Sequence, residues 1–387
     1  MAKLFLHIGL HKTASSSFQL SCAENRTALQ KQNIFYPFFH CPGTSHNKIN
    51  NHSIPLFSLY TTHPEHYPVN LSWGVQNLEE VNKSYQQQLD YALNQENDLL
   101  LSGEDLASLE TNELERLLCD FRKSARELVV FACVRSPYAF HCSQVQQQVK
   151  DGVAMNPVGL CPQRHRINKL KQVFGESLHW IPFAEACLHP QGPVGTFLDF
   201  CGIDPTSMTI HNSNEGRSAE LVRIQNLLNH HQPRIRDNAL NPRHIRLRPF
   251  KGSRFLLQTS ELAEVTDHLN TENAALEDLL GPGFGDPERL TRDGSFASAF
   301  PALTYSLTAL IGLLLQQQTA PIRTHLSLQD VQHFLLEDCD EAELRQALSF
   351  DPMDLTKPLL EAKTTTTNSF PESLVPMAQQ FINRLYN

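Results

Sequence analysis

Residues 3–17 read Lys-Leu-Phe-Leu-His-Ile-Gly-Leu-His-Lys-Thr-Ala-Ser-Ser-Ser, an apolar strand, a turn and then a run of small hydroxyl residues that opens a helix. The near-continuous apolar run from Leu4 to Ile8 is what a strand buried on both faces of a parallel sheet requires. Gly9 lets the chain turn sharply at the carboxyl end of that strand. Thr13, Ala14, Ser15, Ser16 and Ser17 then present backbone N–H groups at a helix start, where unpaired N–H groups and the helix dipole together favour an anion. Lys12 adds a full positive charge on a mobile stem, and His11 stands beside it. The segment is P-loop-like, yet it departs from Gly-x-x-x-x-Gly-Lys-[Ser/Thr], because His11 stands where a glycine precedes the lysine and the spacing differs. Taken alone, the hexapeptide also fits a serine-rich cap on an ordinary helix.

A second segment matches the first. Leu128 to Val134 is another buried apolar run, and it ends in Arg135-Ser136-Pro137. Arg135 therefore falls at the carboxyl end of a parallel strand, the edge at which open α/β sheets bind ligands. Ser136 suits a helix N-cap, and Pro137 suits the first helical position, where its missing N–H costs nothing. The planar guanidinium fork matches phosphate oxygens, and Ser143, in the helix that follows, offers a further hydroxyl.

The run Lys12-Thr13-Ala14-Ser15-Ser16-Ser17 resembles the 5′-phosphosulfate loop of sulfotransferases that use PAPS (3′-phosphoadenosine 5′-phosphosulfate). Arg135 and Ser143 keep the spacing with which that family binds the 3′-phosphate. The resemblance covers roughly residues 3–282. It implies PAPS as the sulfuryl donor, with His11, Lys12, Thr13, Ala14, Ser15, Ser16, Ser17, Arg135 and Ser143 around it, and no metal. It also implies a hydroxyl or amine acceptor on a small molecule, carbohydrate or lipid. Animal Golgi members carry an N-terminal membrane anchor; none is visible here, so the resemblance points to a bacterial-type cytoplasmic enzyme.

Charge and cysteine usage agree with this reading. A formal net charge of −9 disfavours nucleic acid bound through a broadly basic surface. Nine cysteines without a Cys-x-x-Cys pair read as reduced thiols. No signal peptide precedes the strand at residue 3, and the longest apolar stretch, residues 302–315, is too short to span a bilayer.

Strand and helix signals alternate along the chain, which predicts an α/β fold: a three-layer parallel sheet with a P-loop-like loop. Helices are expected at residues 15–30, 76–95, 111–124, 163–174 and 269–280, and further short strands at 34–36, 98–102 and 178–182. Residues 37–75, rich in Pro, His, Asn and Ser, read as a long functional or disordered loop bordering the acceptor. The expected domains are 1–283, sulfotransferase-like, and 284–387, a helical C-terminal extension that packs on the first or forms a homo-oligomer contact.

Sulfuryl transfer needs a group to meet charge on the departing phosphate oxygen and a base to take the acceptor's proton. Lys12 fits the first role. Glu104, just past the strand at 98–102, fits the second, in a region where the similar heparan sulfate 2-O-sulfotransferases place a histidine. His46, in the long loop, is the rival base, although with 18 histidines most are structural. Two other readings stay open: a P-loop kinase holding Mg²⁺ through a loop hydroxyl and Ser102-Gly103-Glu104-Asp105, and a non-catalytic PAPS-binding protein.

Overall fold

The computed structural model describes residues 2–155, 163–211 and 259–286, with parts of the stretch 216–257. The expected C-terminal extension, 284–387, lies outside the described residues beyond residue 286, as does the apolar stretch at 302–315. The described residues form two compact units, one of 1–140, 160–215 and 267–287, the other including 141–159 and 216–266.

The first unit is the α/β body. In chain order its elements are β1 (Lys3–His7), α1 (Ser15–Glu24), α2 (Arg26–Lys31), β2 (Ile34–Phe35), α3 (Ser53–Tyr60), α4 (Pro68–Ser72), α5 (Leu78–Leu93), β3 (Asp98–Ser102), α6 (Thr111–Lys123) and β4 (Glu127–Val134). After these come α7 (Pro137–Lys150), which continues into the second unit, then α8 (Gln163–Phe174), β5 (Leu178–Pro182), α9 (Phe183–Ala186) and α10 (Gly192–Phe200). The five strands are parallel in the order β2-β3-β1-β4-β5, so β1 lies at the centre.

The three layers follow from strand pleating, which sends successive side chains to opposite faces. Leu4, Leu6, Leu99, Leu101, Val130 and Ala132 face one core, where they meet Leu56 of α3, Leu89 of α5, Leu117 of α6 and Leu170 of α8. Phe5, Leu100, Phe131 and Cys133 face the other, with Phe18 of α1 and Phe197 of α10. His7 lies on that second face, buried among the rings of Phe18, Phe131 and Phe197 at 5.1–5.4 Å. A strand covered on both faces has no polar side to alternate with, which is why the apolar runs in the sequence marked strands so clearly.

The helix expected at 15–30 is two helices. Asn25 interrupts it: its side-chain N–H donates to the carbonyls of Ser21 and Thr209, at 2.7 and 2.8 Å, and its carbonyl accepts from Thr209 N at 2.9 Å. At α6 the cap is Glu110, in a reciprocal capping box with Glu113.

Residues 37–75 are structured. Phe39 and Ile49 form an antiparallel bridge, and α3, a 3₁₀ turn at Pro64–His66 and α4 follow. Pro64 and Pro68 open their helical turns, where a missing N–H costs nothing, so prolines that read as loop composition here mark helix starts.

His52 ties this segment to the sheet. Its Nδ1 accepts from Ser102 N at 2.9 Å, which makes Nε2 the protonated nitrogen, and Nε2 donates to the carbonyl of Pro37 at 2.9 Å. In turn, His52 N donates to the Ser102 carbonyl at 2.9 Å. Gly103 permits the approach, since a Cβ there would lie 2.8 Å from Ser53 N. In the second unit, Asn229 Nδ2 donates to the carbonyls of Val149 and Val153, at 2.8 and 2.9 Å, and holds the end of α7.

Burial pushes the imidazoles of both His7 and His52 down to about 3. An unfolded chain binds those protons near the ordinary value of ~6.5, whereas the folded chain refuses them until about 3. Stability is therefore complete above that ordinary value and falls with acidification through the window, by about 1.4 kcal/mol per pH unit for each histidine. Urea midpoints measured between neutral and mildly acidic pH should show this slope, and His7→Phe should reduce it by one histidine's share. An unchanged slope in that variant would contradict the assignment.

Candidate active site

The turn after β1 is held by the sheet itself. Ile8 N and Leu10 N donate to the carbonyls of Phe131 and Cys133, at 3.0 and 2.9 Å, and Cys133 N donates to the Gly9 carbonyl at 2.6 Å. Gly9 has φ +105°, and a Cβ on it would stand 3.3 Å from Glu104 Cα and from the Glu104 carbonyl, so only glycine lets these two backbones meet. Lys12 and Ala14 both adopt left-handed backbone, at φ +66° and +68°. Backbone that reverses hand in this way turns consecutive N–H groups toward one concavity, an anion nest. The Thr13 hydroxyl donates back to the Leu10 carbonyl and closes the turn.

The helix N-cap is Ala14, with no side-chain capping bond, in place of the serine cap that the hexapeptide alone allowed. α1 thus begins at Ser15 without a capping bond from the side chain of its N-cap residue. Thr13, Ser15 and Ser17 are buried, while Lys12 and His11 are half-buried and Ser16 is exposed.

Glu104 opens the 3₁₀ turn Glu104–Ser108, directly past the end of β3. Its carboxylate lies 3.8 Å from His11 Nδ1, and Asp105 Oδ1 lies 3.7 Å from His11 Nε2, so the imidazole stands between two carboxylates. Burial holds the Glu104 carboxyl above the usual carboxylate range; the nearby Ser15 hydroxyl opposes this, Asp105 adds to it, and Lys12 draws it down again. Burial lowers His11, Asp105 partly restores it, and Arg166 of α8 and Lys12 lower it further. Asp105 is held by the Tyr67 hydroxyl, which donates to its Oδ2 at 2.7 Å, and Asp105 N donates to Ser53 Oγ at 3.0 Å.

Arg135 emerges from β4 toward the same turn. Its Nη1 donates to the Lys12 carbonyl at 3.1 Å, and its guanidinium lies 4.8 Å from the centre of the Phe183 ring. Ser136 takes the cap position of α7 through its carbonyl, which accepts from Phe140 N at 2.8 Å. A carboxylate from far along the chain supplies the other acceptor: Tyr138 N donates to Asp286 Oδ2 at 2.9 Å. Burial raises the Asp286 carboxyl, opposed by hydrogen bonds from the Ser136 hydroxyl and the N–H groups of Tyr138 and Ala139. Ser143 lies on α7, half-buried.

Of the residues expected from sequence, His11, Lys12, Ser15, Glu104 and Arg135 converge on one end of the sheet through these contacts. His46 is held elsewhere: its ring stacks on Trp73 at 3.7 Å and 13°, and its backbone closes a local turn with Cys41. Tyr67, Arg166 and Asp286 are additions that the sequence did not single out, and Asp105 enters the sequence reading only within the peptide Ser102-Gly103-Glu104-Asp105 of the kinase alternative. Asp105 sits beside Glu104 and could have been found as a paired carboxylate; the other three are brought in by tertiary packing alone.

No family model matches the chain, and no curated protein matches it. Among solved structures, the chain is similar to a sulfotransferase from Alicyclobacillus acidocaldarius, at 14% identity and a TM-score of 0.41, covering 76% of this chain and 100% of that one. It is also similar to retinol dehydratase in complex with androsterone and inactive cofactor PAP, at 11% identity and a TM-score of 0.30, over 74% of this chain and 83% of that one. Among the described residues, no helix is long and apolar enough to cross a membrane.

A left-handed conformation costs an L-residue with a Cβ about 1–2 kcal/mol, part of which glycine returns as greater freedom in the unfolded chain. Ala14→Gly should therefore raise stability by up to about 1 kcal/mol, and Ala14→Val, branched at Cβ, should lower it by about 1–3 kcal/mol. Urea unfolding of the two variants checks the order, and a more stable valine variant would refute it.

Proposed function

We propose that the chain is a sulfotransferase that takes its sulfuryl group from PAPS and passes it to a hydroxyl or amine on a small-molecule, carbohydrate or lipid acceptor. The observation that carries this reading is the meeting of an anion nest and Glu104: the Glu104 backbone packs against Gly9, and its carboxylate stands among Ser15, Lys12 and His11. A site built only to hold a phosphate would gain nothing from a carboxylate against it, because like charges repel. A carboxylate made more basic by burial, beside an electrophilic anion, is suited to taking a proton from an incoming hydroxyl.

In this reading the N–H groups from Thr13 to Ser17 cradle the 5′-phosphosulfate, and Lys12 meets the charge that develops on the departing phosphate oxygen. The acceptor oxygen bonds to sulfur as the sulfur–oxygen bond to the phosphate breaks, and the acceptor's proton passes to Glu104. His11 orients the Glu104 carboxylate from one side while Asp105 holds His11 from the other. Arg135, steadied on Phe183, and Ser143 bind the 3′-phosphate. Asp286 already takes first-turn N–H groups of α7, so that phosphate depends on these side chains rather than on the helix start. The transfer step uses no metal.

The placing of the Ser15 hydroxyl beside Glu104 favours one alternative, a kinase in which this pair holds Mg²⁺. Binding of adenosine 3′,5′-bisphosphate separates the two, since a kinase has no use for a 3′-phosphate. We expect Arg135→Ala to weaken the bisphosphate by at least about tenfold, as loss of a charged hydrogen bond does, with adenosine 5′-monophosphate nearly unaffected. Equal affinity of the wild type for both nucleotides, or activity lost in EDTA and restored by Mg²⁺, would favour the kinase. Labelled-sulfate transfer from PAPS into carbohydrate, lipid and small-molecule pools identifies the acceptor.

Glu104→Gln should cut turnover by on the order of 10² or more while bisphosphate affinity stays within about threefold, because the base touches the acceptor rather than the nucleotide. The base must be ionised, so turnover is lost as pH falls through the raised Glu104 value, above the ordinary 4.5. Asp105→Asn removes a like charge and should shift that acid limb to lower pH. If Glu104→Gln stays active while His46→Ala is inactive yet binds nucleotide, His46 is the base.

A further inference from the structure

His63, Glu65 and His66 stand apart from the candidate active site, on and just before the exposed 3₁₀ turn Pro64–His66. One ligand atom from each residue lies within 4.8 Å of the other two. His63 Nδ1 is 3.1 Å from Glu65 Oε1, His66 Nε2 is 4.0 Å from the same oxygen, and the two imidazoles stack at 5.4 Å and 23°. Atoms that share one ion at about 2.0–2.2 Å sit roughly 3–4 Å from each other. These three therefore need to close only slightly.

The backbone beneath them is fixed on both sides. Thr62 N and Thr62 Oγ1 donate to the Glu113 carboxylate at 2.6 and 2.8 Å. His66 N donates to the His63 carbonyl at 3.0 Å, and Asn70 Nδ2 donates to the Pro64 carbonyl at 2.8 Å. Little ordering is left beyond the three side chains, which is the condition for a small site to bind.

We propose that His63, Glu65 and His66 form a surface site for a divalent transition metal of the Zn²⁺ class, with water in the remaining positions. Two imidazoles and one carboxylate suit Zn²⁺, Co²⁺, Ni²⁺ or Cu²⁺, whereas Mg²⁺ and Ca²⁺ take oxygen ligands. Three exposed protein ligands give an open site of micromolar rather than structural strength. Tyr67 follows the turn directly and holds Asp105 through its hydroxyl, so an ion here stiffens the segment from which Tyr67 reaches the sheet edge.

The test is titration of the full chain with Co²⁺, followed by visible absorbance, and competition by Zn²⁺ in calorimetry. A Cys119→Ser, Cys187→Ser background removes two exposed thiols that would otherwise bind the same ions. We expect a micromolar event that His63→Ala and His66→Ala each weaken by about 10–100-fold, and that excess Mg²⁺ leaves unchanged. The three residues are exposed, so circular dichroism of the variants should match the parent. Binding unaltered in the double histidine variant, or no binding below millimolar, overturns the proposal. The readout is independent of any transfer activity, so the failure of one reading leaves the other standing.

Discussion

Ser102, the last residue of β3, is the point on which the site depends. Its N–H and carbonyl pair with His52, its hydroxyl lies 2.8 Å from His7 Nδ1, and Gln19 Nε2 reaches both its carbonyl and its hydroxyl at 3.2 and 3.3 Å. β1, α1, β3 and the segment before α3 thus share one buried knot of polar atoms. Buried polar groups are costly unless paired, so a knot with this many mutual bonds has few alternative arrangements. Its practical effect is to fix where the chain leaves the sheet, and with it the positions of Gly103, Glu104 and Asp105 against the turn after β1.

The electrostatics of that sheet edge are a contest between signs. Lys12, Arg135, Arg166 and the N–H groups draw anions in, while Glu104 and Asp105 oppose them from the side of β3. His11 lies between, kept short of full charge by burial and by two nearby cations. In the proposed reaction such a balance would let a phosphate bind without neutralising the carboxylate next to it, because the cationic and acidic groups enter from different elements.

The sheet was legible because its strands are buried on both faces and so appear as unbroken apolar runs ending in Gly9, Ser102 and Arg135. The turn between β1 and α1 was legible for the same local reason: strand, turn and helix start are contiguous. Tyr67 and Asp286 were not, since each acts on a partner 38 or 148 residues away, and no local pattern encodes that distance. Residues 37–75 misled in a different way. Proline and histidine there suggested a loose loop, whereas Pro64 and Pro68 start helical turns and His52 is a buried linchpin held neutral. Composition reports average exposure, and these residues owe their roles to single contacts.

The central place of β1 has a consequence for how the chain is made. Lys3 and Leu4 pair with Glu127 and Leu128 on one side and Leu4 with Leu99 on the other. β1, apolar on both faces, is therefore completed along its two edges by strands that lie 95 and 124 residues further along the chain. Such long-range parallel pairing is slow and leaves aggregation-prone surface in view meanwhile. Until both neighbours are in place, β1 is the strand of this sheet whose apolar faces and open edges most need shielding.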